Sequence, residues 1–217
     1  MHPSINDAPQ GQLLAAGLLY LGIIGLGISS EVLLRGPLID WTDSTATTWA
    51  IATGESRFRL SLGFDLVMAG FDVTLAVMLF HLLRGVDEMW ALMAMAFRLM
   101  QAAVIAANLL FLVAAQDAIK IGADPLPCLR MHAAGYDLGL AFFGVNALLM
   151  AGLLCNWGAP RLFAWGIAAA GLVYLAGSLT RFLAPEWNAA MQPAYLVPVL
   201  AETALMAWLL WRGLRPA

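Results

Sequence analysis

FRLSLGFDLVMAGFDVTLAVMLFHLL, residues 58–83, is an apolar run interrupted by two acids, Asp65 and Asp72, with Arg59 near its start. It exceeds the roughly 20 apolar residues that a helix needs to cross a bilayer. Backbone in hydrocarbon must satisfy its N–H and C=O groups internally, so the run is a helix. A seven-residue spacing puts Asp65 and Asp72 on one face, about 10 Å apart along the axis. A charge at the centre of a spanning helix costs about 2.5–3.5 kcal/mol on insertion scales, so that face turns into a bundle.

Outward from this run, five more stretches are long enough to span: 12–34, 90–115, 129–155, 161–183 and 193–212. Helix-ending residues separate them, namely Gly36-Pro37, Gly85, Pro125 with Pro127, Gly158 with Pro160, and Pro185. The expected fold is all-α, a polytopic bundle of six transmembrane helices forming a single domain over 1–217. In the longest connection, about 36–57, Asp43 or Ser44 can cap a short helix ending at Gly54. Trp41 and Trp49 suit the headgroup layer, so this helix is expected to be interfacial. Met1 to Gly11 lacks Lys and Arg, and the run behind it is too long for a signal-peptide core. It is expected to be a retained first membrane helix.

Composition agrees. Of 217 residues, 62% are apolar and 12% charged, whereas soluble domains carry about 45–50% and about 25%. A formal charge of −3 excludes the basic field of a nucleic-acid binder. Cys128 and Cys155 fall near opposite ends of one helix, roughly 40 Å apart, and cannot form a disulfide.

The informative residues are the polar ones inside these helices. Helix one ends on Glu31 and Arg35, with Tyr20 on the face of Glu31. Helix three carries Arg98, Gln101 and Asn108 on one face. Helices two and three form a hairpin at Gly85, and Asp72 and Arg98 each lie 13 residues from it. Equal depth makes an Asp72–Arg98 pair natural and brings Asn108 to the level of Asp65. Helix four supplies a stripe of His132, Tyr136, Gly139, Phe143 and Asn146, with Asp137 about 140° from His132. Arg181 ends helix five, and Glu202 is central in helix six. Both termini, Gly85 and Gly158 share one face of the membrane, here the terminal face; the other connections lie on the far face. Glu31, Arg59, Asp65, Asn108, His132, Tyr136 and Arg181 then fall in the far half. They outline a polar, mixed-charge cavity floored by Asp72, Arg98, Gln101 and Glu202.

Other chemistries are poorly served. His81 and His132 are a membrane thickness apart, which excludes a bis-histidine haem. Zinc usually needs several close His or Cys ligands, so no metal site is assigned, although His132, Glu31 and Asp65 are the residues that could hold one. G-x-S-x-G, P-loop and dinucleotide fingerprints are missing. An internal echo relates Ala15–Leu21 to Ala169–Leu175 (AAGLLYL and AAGLVYL), as in the parallel repeats of some transporters.

Four blocks together are similar to a known family: AAGLLYL at 15–21 followed by Glu31 and Arg35; ESRFRL at 55–60 with Asp65 and Asp72; FRLMQAA at 97–103 with Asn108; and HAAGYDLGLAFFG at 132–144. The chain resembles the bacterial membrane family known as domain of unknown function 4386. The resemblance implies a six-helix protein of the cytoplasmic (inner) membrane and implies no activity.

Three functions fit these readings. One is binding or transport of a small polar or amphipathic ligand, with Arg59, Arg98 or Arg181 holding an anionic headgroup and Asp65, Asp72 and Glu202 carrying protons or pairing the arginines. A second is a membrane-embedded enzyme for a lipid or isoprenoid substrate, with His132 as base or ligand and Tyr136 as donor. The third is a structural or sensory partner of another membrane protein. The expected partners are the lipid bilayer and a small polar or lipid-like ligand; nucleic acid is excluded, and no cofactor is assigned.

Overall fold

Capping chemistry sets the helix boundaries in a computed structural model that describes residues 5–215. Helix α1 covers Gln10–Ile28 and continues through a π-helical turn, Ser29–Arg35, into a 3-10 turn, Gly36–Leu38. The Asp43 carboxylate accepts from the Ala46 N–H and caps α2, Ser44–Thr53, the short helix expected in this connection. Helix α3 follows as Glu55–Leu83. Asp87 caps α4, Glu88–Lys120, by accepting from the Trp90 N–H. Helix α5, Leu126–Trp157, starts behind Pro125 and ends at Gly158, whose φ of 84° is the left-handed conformation that glycine adopts without steric cost. Helix α6 is Arg161–Leu183. The chain then turns through α7, Pro185–Met191, and a 3-10 segment, Gln192–Tyr195, into α8, Leu196–Leu214.

Six of these segments are long and apolar enough to cross a membrane: Gln10–Leu38, Glu55–Leu83, Glu88–Lys120, Leu126–Trp157, Arg161–Leu183 and Pro185–Leu214. Each packs against its neighbours in the chain, and α8 returns onto α1, so the six close into a ring. The polarity of that ring is inverted relative to a water-soluble protein. Leu18, Val32, Leu66, Leu110 and Leu172 point outward, whereas Arg35, Asp65, Asp72, Arg98, Gln101 and His132 are buried. With no water in a hydrocarbon core to solvate them, charged side chains turn inward to one another.

Two apolar cores divide the interior. The larger, toward the terminal face, joins Leu13, Leu75, Leu79, Met150, Leu154, Trp157 and Leu209. The smaller, toward the far face, joins Leu38, Ile51, Phe58, Leu112 and Leu129 and seats the underside of α2. The buried polar residues lie between them. Small residues set the closest approaches. A Cβ at Gly144 would stand 2.9 Å from the Gly171 carbonyl oxygen, and one at Gly171 would stand 2.8 Å from that of Gly144, so α5 and α6 touch backbone to backbone. Gly144→Leu is expected to force these helices apart and destabilise the protein by about 1–3 kcal/mol, the usual cost of overpacking. Thermal unfolding in detergent measures it, and an unshifted midpoint would refute the close packing.

Helix α2 is tied to the α4–α5 turn by one polar contact. The Ser44 hydroxyl donates to Asp124 at 2.5 Å, and the Leu126 N–H donates to the same oxygen at 2.8 Å. These donors, the hydroxyl foremost, hold the Asp124 carboxyl below its ordinary range. Because the folded value is the depressed one, the contact is fully present above the unfolded pKa of about 3.9 and is lost as pH falls below it. Protection of the 44–53 amides, measured against the intrinsic exchange rate at each pH, should therefore fall on acidification below about pH 4; Ser44→Ala should give the lower protection already at neutral pH. Equal exchange rates in the two proteins at neutral pH would rule the tether out.

Candidate functional site

The first polar centre forms around Asp72 on α3. Arg98 Nη2 donates to Asp72 Oδ1 at 2.6 Å, and Gln101 Nε2 donates to Asp72 Oδ2 at 3.1 Å. The depth argument from the Gly85 hairpin thus finds its pair. Arg98 is only 2% exposed, and its guanidinium lies 5.1 Å from the Tyr20 ring centroid and 5.0 Å from that of Phe143. The Phe143 ring in turn packs 5.4 Å from Tyr174, whose hydroxyl donates to Glu202 at 2.5 Å. Tyr20 and Tyr174 hold matching places in the internal echo, and both end in this one cluster. Gln101 Oε1 is buried and has no hydrogen-bond partner.

The second centre belongs to Arg35. The π-helical turn closes with the Gly36 N–H donating to the Glu31 carbonyl, and a Cβ at Gly36 would stand 2.6 Å from that oxygen. Only glycine fits there. The extra residue in the turn carries Arg35 inward, to 2% exposure, where Nη1 donates to Asp65 at 2.7 Å and to Ser30 and Ser61 at 3.2 and 3.4 Å. Its Nη2 donates to Glu31 at 2.5 Å, yet the Glu31 side chain remains 61% exposed. Arg57 donates to the Leu33 carbonyl, whose α-helical partner four residues on would be Pro37, which has no N–H.

Asn108, expected at the level of Asp65, meets His132 instead. Its Nδ2 donates to the His132 carbonyl at 2.6 Å and lies 3.1 Å from Nδ1, which is also 3.2 Å from the Asn108 carbonyl. Gly135 permits this approach, because a Cβ there would overlap Asn108 Oδ1. Asp137, on a different face from His132, pairs with Arg181 at 3.5 Å, and its carbonyl accepts from the Ser178 hydroxyl.

Two adjoining recesses open beside these centres. The larger, about 500 Å³, is bordered by Glu31, Arg35, Trp41, His132, Tyr136, Asp137, Arg181 and Tyr195. The smaller, about 290 Å³, reaches inward from Ile28, Val32 and Val199 to Asp72, Gln101, Tyr174 and Glu202. Glu31, Tyr136 and Leu140 border both. Of the expected residues, Glu31, His132, Tyr136 and Arg181 meet at the first recess, and Asp72, Gln101, Tyr136 and Glu202 at the second. Asp65, Asn108 and Arg98 stand behind them as partners of Arg35, His132 and Asp72. Arg59 is not brought in: it is exposed and paired with Glu55, because it sits two residues before the inward Ser61, about 200° around the helix. Arg35 and Asp137 were missed as site residues. The i, i+4 spacing of Glu31 and Arg35 ahead of Gly36-Pro37 was the available signal for the first.

Among the described residues, no three His, Cys, Asp or Glu side chains converge as a metal site. Glu31, Asp65 and His132, the trio that could have held an ion, are drawn off to Arg35 and Asn108.

Residues 15–213 match the family described as Domain of unknown function (DUF4386). The chain belongs to that family. The match runs from within α1 to within α8 and takes in every residue of both polar centres. No curated protein and no solved structure matches the chain. Six spans, inverted polarity and family membership together make it an integral membrane protein.

Because Arg98 and Asp72 are both buried, removing one leaves the other uncompensated. Arg98→Ala is expected to cost about 3–5 kcal/mol. The neutral pair Arg98→Gln with Asp72→Asn should recover most of that. A double-mutant cycle by thermal unfolding reads the coupling, and additive losses would show that the pair does not act as a unit.

Proposed function

We propose that this protein binds, and in the course of its work transports, a small polar or amphipathic ligand in the two adjoining recesses of the far half. The observation that carries the reading is Glu31: its partner Arg35 is 2% exposed, but Glu31 itself stays 61% exposed at the wall shared by both recesses. A charge whose only task is to lock a bundle would be buried with its partner. In this reading the six helices act as one domain in the cytoplasmic membrane of a bacterium. Helix α2, with Trp49 70% exposed, rests in the headgroup layer beside the mouth of the larger recess.

A membrane-embedded enzyme for a lipid or isoprenoid substrate is the second reading. It is favoured by His132 and Tyr136, which border the larger recess with ring centroids 6.4 Å apart. Asn108 holds the imidazole there through Nδ1, as a general base must be held.

Native mass spectrometry of protein extracted mildly from its own membrane tests the ligand site. The wild type should retain a bound mass that Leu140→Trp, which fills the wall between the recesses, releases without lowering the unfolding temperature. Wild-type protein that flies only as the bare chain would overturn the reading. A retained mass that changes chemically on incubation would favour the enzyme.

A further inference from the structure

Helices α1 and α8 are pressed together at one end and separated at the other. Toward the terminal face, a Cβ at Gly213 would stand 2.5 Å from the Leu14 backbone nitrogen, and one at Gly17 would stand 2.9 Å from that of Leu210. Toward the far face the same two helices carry Ile28, Val32 and Val199, which are exposed on the outside of the ring and border the smaller recess. The seam therefore opens sideways, from the surface that faces lipid to Asp72, Gln101 and Glu202 inside.

The charges at the inner end of the seam do not balance. Each guanidinium that lines or backs the recesses already has a carboxylate: the buried Arg98 has Asp72, the buried Arg35 has both Asp65 and Glu31, and the half-buried Arg181 has Asp137. Among the described residues, Glu202 receives the Tyr174 hydroxyl and no guanidinium. Five carboxylates thus face three guanidiniums, and the two in excess, Glu31 and Glu202, both border the smaller recess. Gln101, 4% exposed on the same lining, keeps an Oε1 without a donor. Its Nε2 is committed to Asp72, so the free atom is an acceptor. The Phe143, Tyr136 and Tyr174 rings complete the wall, and aromatic faces attract cations.

We propose that the α1–α8 seam is a lateral port for an alkylammonium: an N–H-bearing cationic headgroup received among Glu31, Glu202 and Gln101, on an apolar chain lying between Ile28, Val32 and Val199. This rests on the ligand-site reading above and gives it a charge class opposite to the anionic headgroup that the arginines alone would imply. Arg35 and Arg98 are each committed to a carboxylate, and an anion would meet Glu202, which no guanidinium pairs, and Glu31, which shares Arg35 with Asp65.

The test uses the full chain in zwitterionic nanodiscs, titrated with dodecylamine and, separately, with dodecyl phosphate at equal mole fraction, with native mass spectrometry and thermal unfolding as readouts. Dodecylamine should bind at least about tenfold more tightly than dodecyl phosphate, a difference of about 1.4 kcal/mol. Glu202→Gln and Glu31→Gln should each lower amine binding by about tenfold, the scale of one charge-assisted hydrogen bond. Val199→Trp, at an exposed position that cannot unfold the core, should block the chain. Equal or tighter binding of dodecyl phosphate would overturn the charge class while leaving a ligand site in place. Undiminished amine binding in Val199→Trp would overturn the port. Failure of both probes, in protein that still retains a mass from its own membrane, would overturn this inference alone; failure together with a bare native chain would overturn both.

Discussion

A guanidinium surrounded by apolar helices has no solvent to return to, and the rest of this structure is arranged around that constraint. Arg35 and Arg98, both buried, and Arg181, about a third exposed, each reach a carboxylate on a neighbouring helix, and each pairing sets one helix against another. Arg98 and Asp72 hold α4 in register on α3. Arg35 and Asp65 bring the widened end of α1 onto α3. Asp137 and Arg181 join α5 to α6. Breaking a buried pair costs far more than forming it returns, so these contacts act as register marks more than as a source of net stability. They also explain why the polar residues form a band between two apolar cores.

Backbone geometry decides where the interior is solid and where it is open. Glycine lets α5 approach α6 and lets α1 approach α8, in the second case only at the terminal end. Helices in lipid associate through such close packing, because the solvent offers no hydrophobic drive to press them together. Where the small residues stop, α1 and α8 part and the smaller recess begins. The π-helical turn acts at the same end of α1. By adding a residue it turns Arg35 inward and leaves Glu31 at the recess wall, and π-turns of this kind recur at functional sites. The tight seam and the open one therefore belong to the same pair of helices.

How much of the site could be read from the chain depended on how regular the intervening backbone is. Asp72 and Arg98 could be matched because two uninterrupted α-helices leave one turn at Gly85, and equal counts then mean equal depth. The tie between Asp137 and Arg181 was half visible, since Asp137 could be placed off the His132 face without its partner being named. Arg35 is legible at the end of helix one, one turn after Glu31, but not as a site residue, because nothing in the residue pattern announces the π-turn that carries it inward. Asn108 was matched to Asp65 by depth, but His132 across the α4–α5 contact is closer, through a gap that Gly135 leaves. Arg59 was included by depth alone and lies on the outer side of its helix.

Taken alone, the chain determined its solvent, its helices and the burial of its charges, because length, apolar content and the cost of an unpaired charge in hydrocarbon are local properties. Only the tertiary structure decided which acid serves which arginine, that α8 closes the ring on α1, and that Glu31 and Glu202 remain in excess on one recess. Those outcomes depend on helix rotation and on distances between helices far apart in the chain, and no periodicity within a single helix encodes either.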